Sequence, residues 1–397
     1  MNTPKLRFKD ETGTKFPDWN KRRLEEILTI YNGKDYKDLK SGEFPVFGTG
    51  GVITFVDKYL CNWNCVCIGR KGTINKPIFM DEPFWCVDTL FYTKPKEKNN
   101  PKFQFYLFET IDWQKYNTAT GVPSLTGTTI GNIIVEIPTI FEQNKIADFL
   151  SSYDEKLRLQ RNRIEALERR KKGLLQKVFS QEIRFKADDG KEFPKWDEIP
   201  FCKAFYSISN NTLSRSELSF DVKTSVRNIH YGDVLIKYGA VIHTNIDTIP
   251  YVIEIEDKLT KEKLLKSGDV IFADTAEDNT VGKACELILG DDSDSIVAGL
   301  HTIAVRPNEA FAFGYLGYFF NSTLFHDQLL PLIQGIKVSS ISKRALFSET
   351  KVFYPSLPEQ RKIADFFTAI DDQINIEKER LTTMETIKKG LLQGLFC

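Results

Sequence analysis

The chain carries the same text twice, at two different offsets, and that duplication limits the folds open to it. Leu6-Arg7-Phe8-Lys9, Gly13, Phe16-Pro17 and Trp19 return as Ile183-Arg184-Phe185-Lys186, Gly190, Phe193-Pro194 and Trp196, 177 positions later. Glu142-Gln143-Asn144-Lys145-Ile146-Ala147-Asp148-Phe149 returns as Glu359-Gln360-Arg361-Lys362-Ile363-Ala364-Asp365-Phe366, and Lys171-Lys172-Gly173-Leu174-Leu175-Gln176 as Lys388-Lys389-Gly390-Leu391-Leu392-Gln393, both 217 later. Since 217 less 177 leaves 40, the middle of the second half is about forty residues longer than that of the first, and the two middles share little sequence. A constant frame around unlike inserts describes two related modules that present different recognition surfaces on one scaffold.

With 397 residues, 41% apolar and 27% charged, each half is long enough to bury its own core. Met1-Asn2-Thr3-Pro4-Lys5 leads into no apolar stretch, and nowhere do eighteen apolar residues run together. Neither a signal peptide nor a membrane span is expected, which places the protein in the cytoplasm. Seven cysteines without a regular framework fit reduced thiols. A net charge of zero excludes bulk coating of nucleic acid, so any hold on an acidic polymer must come from local patches. One such patch runs through Lys156, Arg158, Arg161, Arg163, Arg169, Arg170, Lys171, Lys172 and Lys177, against only Glu165 and Glu168. The matching stretch of the second half is nearly balanced, with Lys378, Arg380, Lys388 and Lys389 against Glu377, Glu379 and Glu385.

Apolar residues after each repeated helix start step by three and four: Leu150, Tyr153, Leu157, Ile164, Leu167 and Leu174 in one copy, Phe367, Ile370, Ile374, Leu381, Met384 and Leu391 in the other. Polar residues interrupt both at the same register, Gln160 and Lys171 in the first, Glu377 and Lys388 in the second. This is a coiled-coil seam of three to four heptads whose polar positions fix alignment at some cost in stability; the alternative is a helix packed on its own domain. Thirty helical residues at about 1.5 Å each span roughly 45 Å, the length of about thirteen base pairs. If the helices pair antiparallel, the halves are related by a pseudo-twofold axis, and Leu6 to Trp19 sits near Phe396 as Ile183 to Trp196 follows the first helix.

The first insert, about Ile27 to Pro138, mixes strands and turns. Phe44 to Ile53 reads as strand, glycine turn, strand, and Cys65 to Ile74 as a strand running into a basic glycine loop. The second insert offers Ser267 to Thr275 and then a polar loop ending at Val281-Gly282-Lys283-Ala284. Both continue through a strand with a shared threonine, Thr89 or Thr302, into an aromatic helical segment, Phe103 to Trp113 or Phe311 to Phe325. A glycine-led polar turn follows, Thr120 to Leu125 or Gln334 to Ile341. The modules therefore read as mixed α/β (α+β) units with twisted sheets, alike in fold and divergent in surface.

The Glu-Gln-x-Lys-Ile-Ala-Asp-Phe helix start, the Lys-Lys-Gly-Leu-Leu-Gln helix end, the Arg-Phe-Lys to Phe-Pro-x-Trp lead-in and the duplication with unlike inserts together resemble the specificity subunit of bacterial type I restriction-modification enzymes, over essentially the whole chain. The resemblance implies a target recognition domain with its lead-in at residues 1–141, a spacer helix at 142–179, a second target recognition domain at 180–357 and a second spacer helix at 358–397. It implies that each module reads one half of a split double-stranded DNA site, that the helices space the modules and dock two adenine-N6 methyltransferase subunits, and that restriction and translocation subunits complete the assembly. S-adenosylmethionine, ATP and Mg2+ would be bound by those partners, none by this chain. Base readout calls for side chains on loops that reach the major groove, with basic and hydroxyl groups on phosphate. Arg70, Lys71, Thr73 and Lys76 on the glycine loop, and Ser124 and Thr126 at the turn, suit that work in the first module. Asn279, Thr280 and Lys283, then Lys337, Ser339, Ser340, Lys343 and Arg344, hold comparable places in the second. Solvated loop residues are the plain alternative for each.

Catalytic signatures are missing. No (Asn/Asp)-Pro-Pro-(Tyr/Phe) loop for a flipped adenine occurs and no Gly-x-x-x-x-Gly-Lys-(Ser/Thr) phosphate loop, while Phe47-Gly48-Thr49-Gly50-Gly51 reads as a turn between strands. Cys61, Cys65, Cys67 and Cys86 lack a Cys-x-x-Cys pair and read as buried thiols ahead of a metal site. His230, His243, His301 and His326 are scattered, and a catalytic role for His301 is not expected because the first module has Asp88 there. Asp371-Asp372 and Asp291-Asp292 read as helix-start and turn residues. The chain is thus expected to be a non-catalytic recognition scaffold. A tether that holds partner subunits through its modules without touching DNA is the alternative, and salt separates the two, because DNA affinity falls steeply as ions compete for phosphate.

Overall fold

The computed structural model describes residues 4–254, 264–291, 293–335 and 337–396, so Asp292 and Ile336 of the segments named above lie outside it. Two compact units result, residues 1–162 with 378–397 and residues 163–377. The long helices run Ile140–Phe179 and Leu357–Leu395, so each unit holds the start of one and the end of the other.

The first unit is built on a four-stranded sheet in the order Leu28–Asn32, Leu90–Pro95, Cys65–Gly69, Ile78–Met80, all antiparallel. A second sheet places Ser41–Gly48 between Gly51–Val56 and Trp85–Cys86, and the glycine turn is the tip of its hairpin. All five residues of Cys65–Gly69 are buried, as expected of a central strand covered on both faces. Helix Pro101–Thr110 lies over the sheet, capped by Asn100, whose side chain accepts from the amides of Lys102 and Phe103. Phe103, Tyr106 and Phe108 join Leu150, Leu395 and Phe396 of the long helices in one core.

The second unit keeps this plan. Its main sheet runs Phe205–Ile208, Thr302–Pro307, Val270–Ala273, Ala284–Ile288, the same order as the first, with one parallel edge strand, Val241–His243, added. Its second sheet, of Leu218–Ser219, Tyr251–Val252, Val226–Ile229 and Ser295–Ala298, keeps one parallel pair as in the first unit and has four strands where the first has three. The aromatic segment expected as one helix is two, Tyr315–Phe320 and Thr323–Leu329. Asn321 breaks it by returning its side-chain amide to the carbonyls of Gly317 and Ala284, and the Ser322 hydroxyl donates to Phe319 O.

The repeated words now have jobs. Glu142 and Glu359, their side chains each about 1% exposed, take two hydrogen bonds from Arg7 and Arg184 respectively, at 2.8 and 3.0 Å in the first unit and 2.6 and 3.2 Å in the second. A fork-on-carboxylate geometry of this kind is what allows a buried charge to persist. Gln143 donates to Pro138 O and accepts from Asn100 N–H; Gln360 donates to Pro355 O and accepts from Ala312 N–H. The Glu-Gln pair therefore ties the lead-in segment and the module to the helix start at once. Phe8 meets Phe149 edge-on at 5.5 Å, and Phe185 meets Phe366 at 5.4 Å. Trp19 packs on Phe396, and Leu6 N–H donates to Gly394 O, which puts the first lead-in beside the end of the second helix as expected. Trp196 packs on Phe179 in the same manner.

Each unit shows the helices running antiparallel. In the second, Arg163 pairs with Glu377, Lys171 with Asp371, and Phe179 stacks on Phe367. In the first, Arg161 pairs with Glu385, Lys388 with Asp154, and Tyr153 Oη donates to Met384 O. Every seam residue named from the sequence is buried or half-buried: Leu150, Leu157, Ile164, Phe367 and Ile374 fully, Tyr153, Leu167, Leu174, Ile370, Leu381, Met384 and Leu391 in part. The polar interruptions are keyed. Lys171 bonds Asp371 beneath the Tyr318 ring, and Tyr318 Oη donates to the same carboxylate at 2.9 Å. Lys388, Asp154 and Tyr106 repeat that trio. Asp371 thus sits in mid-helix and not at a helix start, because its carboxylate is needed by a lysine of the facing helix.

Candidate nucleic-acid interface

In the first module the glycine loop and the glycine-led turn are one structure. Strand Cys65–Gly69 ends where a Cβ on Gly69 would lie 2.1 Å from Thr73 O, so only glycine lets the loop close. Arg70 N–H donates to Thr89 O at 2.7 Å, Arg70 O accepts from Leu125 N–H at 2.9 Å, and Gly72 N–H donates to Pro123 O at 2.9 Å. Lys71 and Ser124 form an antiparallel bridge. Arg70 reaches Asp88 O with its guanidinium and lies 6.0 Å from the Phe91 ring. Lys71, Lys76 and Thr126 are exposed, Arg70, Thr73 and Ser124 half-buried. Thr126 also caps the short helix Gly127–Gly131 by accepting from Thr129 N–H.

The second module repeats these main-chain bonds with other side chains. Asp274 N–H donates to His301 O, and Asp274 O accepts from Ile341 N–H at 2.8 Å, the bond that Arg70 makes with Leu125. Thr275–Ala276 pairs with Ser339–Ser340 where Lys71 bridges Ser124. At Gly335, φ +106 and a Cβ that would fall 2.0 Å from Val338 O explain the glycine that leads the turn. Asn279 and Thr280 stand exposed on the loop, with Thr280 bonded to the Asp278 carboxylate. Lys337, Lys343 and Arg344 are exposed, and Ser339 and Ser340 half-buried. Lys343 Nζ donates to Ser207 Oγ, while Ser342 caps helix Lys343–Glu349.

Lys283 is turned the other way. Its ammonium donates to the carbonyls of Leu235 and Tyr238, at 3.0 and 2.9 Å, at the end of helix Tyr231–Ile236. Burial lowers its pKa. A cation spent on two main-chain carbonyls has little left for phosphate.

Other candidate chemistry resolves into packing. Cys61, Cys65, Cys67 and Cys86 are fully buried in one apolar cluster with Met80, Phe84 and Tyr92, the sulfurs of Cys61 and Cys65 lying 3.8 Å apart. Burial pushes the Cys67 thiol up. Among the described residues no group of three or more His, Cys, Asp or Glu side chains is arranged to hold a metal ion, and no helix is long and apolar enough to cross a membrane. Asp291 accepts from Ser293 N–H, a turn contact as expected.

The comparisons likewise match the chain in two segments. The family described as the type I restriction modification DNA specificity domain matches residues 17–169 and 205–386. The chain belongs to this family. As a specificity subunit it supplies DNA target recognition to a type I restriction-modification complex, and is not itself the catalyst. It is similar to the MjaVIII type I restriction enzyme specificity subunit of Methanocaldococcus jannaschii, with 23% identity over 98% of this chain and 94% of that one. A putative type I restriction enzyme MjaX specificity subunit of the same organism is 25% identical over 98% and 95%. The crystal structure of a type I restriction-modification S subunit from M. genitalium superposes with a TM-score of 0.56 at 19% identity, covering 100% of this chain and 99% of that one, and supports the fold.

The sequence singled out the loops by composition and missed Asp274, the residue on which the second loop frame turns. Its signal was positional: Ala273-Asp274-Thr275 leaves a buried strand as Gly69-Arg70-Lys71 does. The Lys-Asp-Tyr keys were missed as well, since Tyr106 and Tyr318 lie at neither repeat offset.

Proposed function

We propose that each module reads one half of a bipartite double-stranded DNA target, through the paired loop and turn at the end of its main sheet. The observation that carries this is the matched loop frame, main-chain bonds kept and side chains exchanged, which is the pattern expected of two readers of different half-sites. Arg70, Lys71, Thr73, Lys76, Ser124 and Thr126 act in the first, and Asn279, Thr280, Lys337, Ser339, Ser340, Lys343 and Arg344 in the second, divided between base edges and phosphate. The helices set the gap between half-sites and dock two adenine-N6 methyltransferase subunits in the cytoplasm, with a motor and nuclease subunit added for cleavage. S-adenosylmethionine, ATP and Mg2+ belong to those partners. Holding the flanking bases keeps the duplex in register while a partner flips its adenine.

The test is the methylome of a cell expressing this chain with a cognate methyltransferase subunit. A bipartite motif with one N6-methyladenine per strand and a fixed gap is expected. An assembled complex that writes no new motif would sink the proposal and favour a tether that never reads DNA.

A further inference from the structure

The strand Thr302–Pro307 of the second module is preceded by a residue in an uncommon conformation. His301 has φ +54, in the left-handed region that side chains with a Cβ seldom adopt. Its surroundings hold it there. Asn210 Nδ2 donates to Thr302 O at 3.0 Å and to Gly299 O at 3.4 Å, Thr302 Oγ1 donates to Gly299 O at 2.6 Å, and Gly299 N–H donates to Ile229 O at 2.8 Å. Strain held in place by this many bonds marks positions where a side chain must be aimed.

What is aimed is an imidazole about half exposed, with Nδ1 at 3.3 Å from Asp274 Oδ1 and its ring edge-on to Tyr231 at 5.3 Å. Asp274 is itself fixed, through its main-chain bonds to His301 and Ile341 and through the Thr275 hydroxyl, which donates to Oδ1 at 2.8 Å. A carboxylate facing Nδ1 favours the tautomer with the proton on that side, and in that tautomer Nε2 is the acceptor. Among the described residues Nε2 has no partner, and it stands beside the loop and turn assigned above to DNA.

We infer that His301, oriented by Asp274, is a base-reading residue of the second module, its Nε2 accepting a hydrogen bond from an exocyclic amine in the major groove. Adenine N6 and cytosine N4 are the amines displayed there. The inference rests on the reading of the modules as DNA readers. In the first module the frame places of His301 and Asp274 hold Thr89 and Arg70, joined by the same main-chain bond, so the chemistry presented at one frame position differs between the modules.

The experiment uses the full chain with its methyltransferase partner and compares methylomes of the unaltered chain, His301→Gly and Asp274→Asn. Glycine accepts φ +54 without strain, so His301→Gly removes the imidazole while favouring the backbone. The expected result is that both substitutions alter the same single position of one half-site, with discrimination falling about ten- to a hundredfold, and leave the other half-site intact. Asp274→Asn should go further than relaxation, since an amide that donates to Nδ1 moves the proton to Nε2 and favours an acceptor base. Unchanged half-sites in His301→Gly would overturn the inference. If His301→Gly abolishes methylation, competition between the target duplex and single-position variants decides: lost preference at one position supports the inference, and retained preference at all positions overturns it. Failure of the DNA-reading proposal itself is separable, because it appears as a missing motif in the unaltered chain, and the inference falls with it.

Discussion

The frame and the reading loops of this chain repeat in different currencies. In the frame both side chains and geometry recur: Arg7 on Glu142 and Arg184 on Glu359, Phe8 on Phe149 and Phe185 on Phe366, Trp19 on Phe396 and Trp196 on Phe179. In the loops only the main chain recurs. Arg70 and Asp274 donate and accept the matching backbone bonds, yet one ends in a cation and the other in a carboxylate. Where the first module leaves its buried strand through Arg70 and Lys71, the second leaves it through Asp274, Glu277 and Asp278, and keeps its cations on the turn and the following helix at Lys337, Lys343 and Arg344. Buried charge pairs tolerate little exchange because an orphaned partner is costly. Loop side chains that point to solvent carry no such penalty, and are free to diverge with the sequence they read.

The frame half of that comparison breaks hardest at the arginines. Arg184→Ala leaves Glu359 buried, with no other donor to its carboxylate among the described residues, and should cost about 3 to 5 kcal/mol, as orphaned buried charges do. Arg7→Ala should cost about 1 kcal/mol less, because Trp19 Nε1 still donates to Glu142 at 3.2 Å, whereas Trp196 Nε1 is buried without a partner. Denaturant unfolding of the two variants measures both. Equal losses would mean that the indole bond adds nothing and that the two frames are energetically identical.

A second asymmetry is buried in the longer module. Glu286, on strand Ala284–Ile288, accepts from Gly314 N–H and Gly317 N–H at 2.8 and 2.9 Å, and burial pushes its pKa up to about 7. The folded state therefore keeps a proton that the unfolded chain has released, and the group's contribution is full below the ordinary carboxyl value of 4.5 and lost as pH rises through about 7. The loss is on the order of 3 kcal/mol. Glu286→Gln should flatten the fall in unfolding midpoint between pH 5 and pH 8. An unchanged slope would place the pH dependence in other carboxyls.

Much of this was legible in the sequence, and what was not has a physical reason. Both offsets, the seam and its polar interruptions are local patterns, and the helices follow from them at Leu150, Phe367 and their successors. The antiparallel sense was legible too, because a lead-in that follows one helix directly must, by repetition, meet the end of the other. The seam lysines were visible, but what they grip was not: Lys388 finds Asp154 and Tyr106, and that pairing depends on which residue the facing helix and the module bring within about 3 Å. The loops were located by their glycines, yet composition misjudged Lys283, since no spacing rule tells a cation on phosphate from a cation on the end of a buried helix. The sequence sets His301 against Asp88, whereas the main-chain bonds set it against Thr89, and a difference between the modules argues against shared chemistry without saying anything about unlike reading.

The loop half of the comparison is sharpened most gently, by salt. A lysine that sits on phosphate releases a counterion on binding, so its removal should lower the dependence of log affinity on log salt by about 0.9 and weaken all duplexes alike. Lys71→Ala and Lys337→Ala, both exposed beside their turns, should each do this in the assembled complex without altering the methylated motif. Lys283→Ala should leave the slope alone and instead lower the unfolding midpoint, because its ammonium already serves Leu235 O and Tyr238 O. If Lys283→Ala shifted the slope as Lys337→Ala does, that ammonium would have to leave its two carbonyls on binding. The second module would then reorganise where the first does not, and the matched loop frames would be a property of the free protein alone.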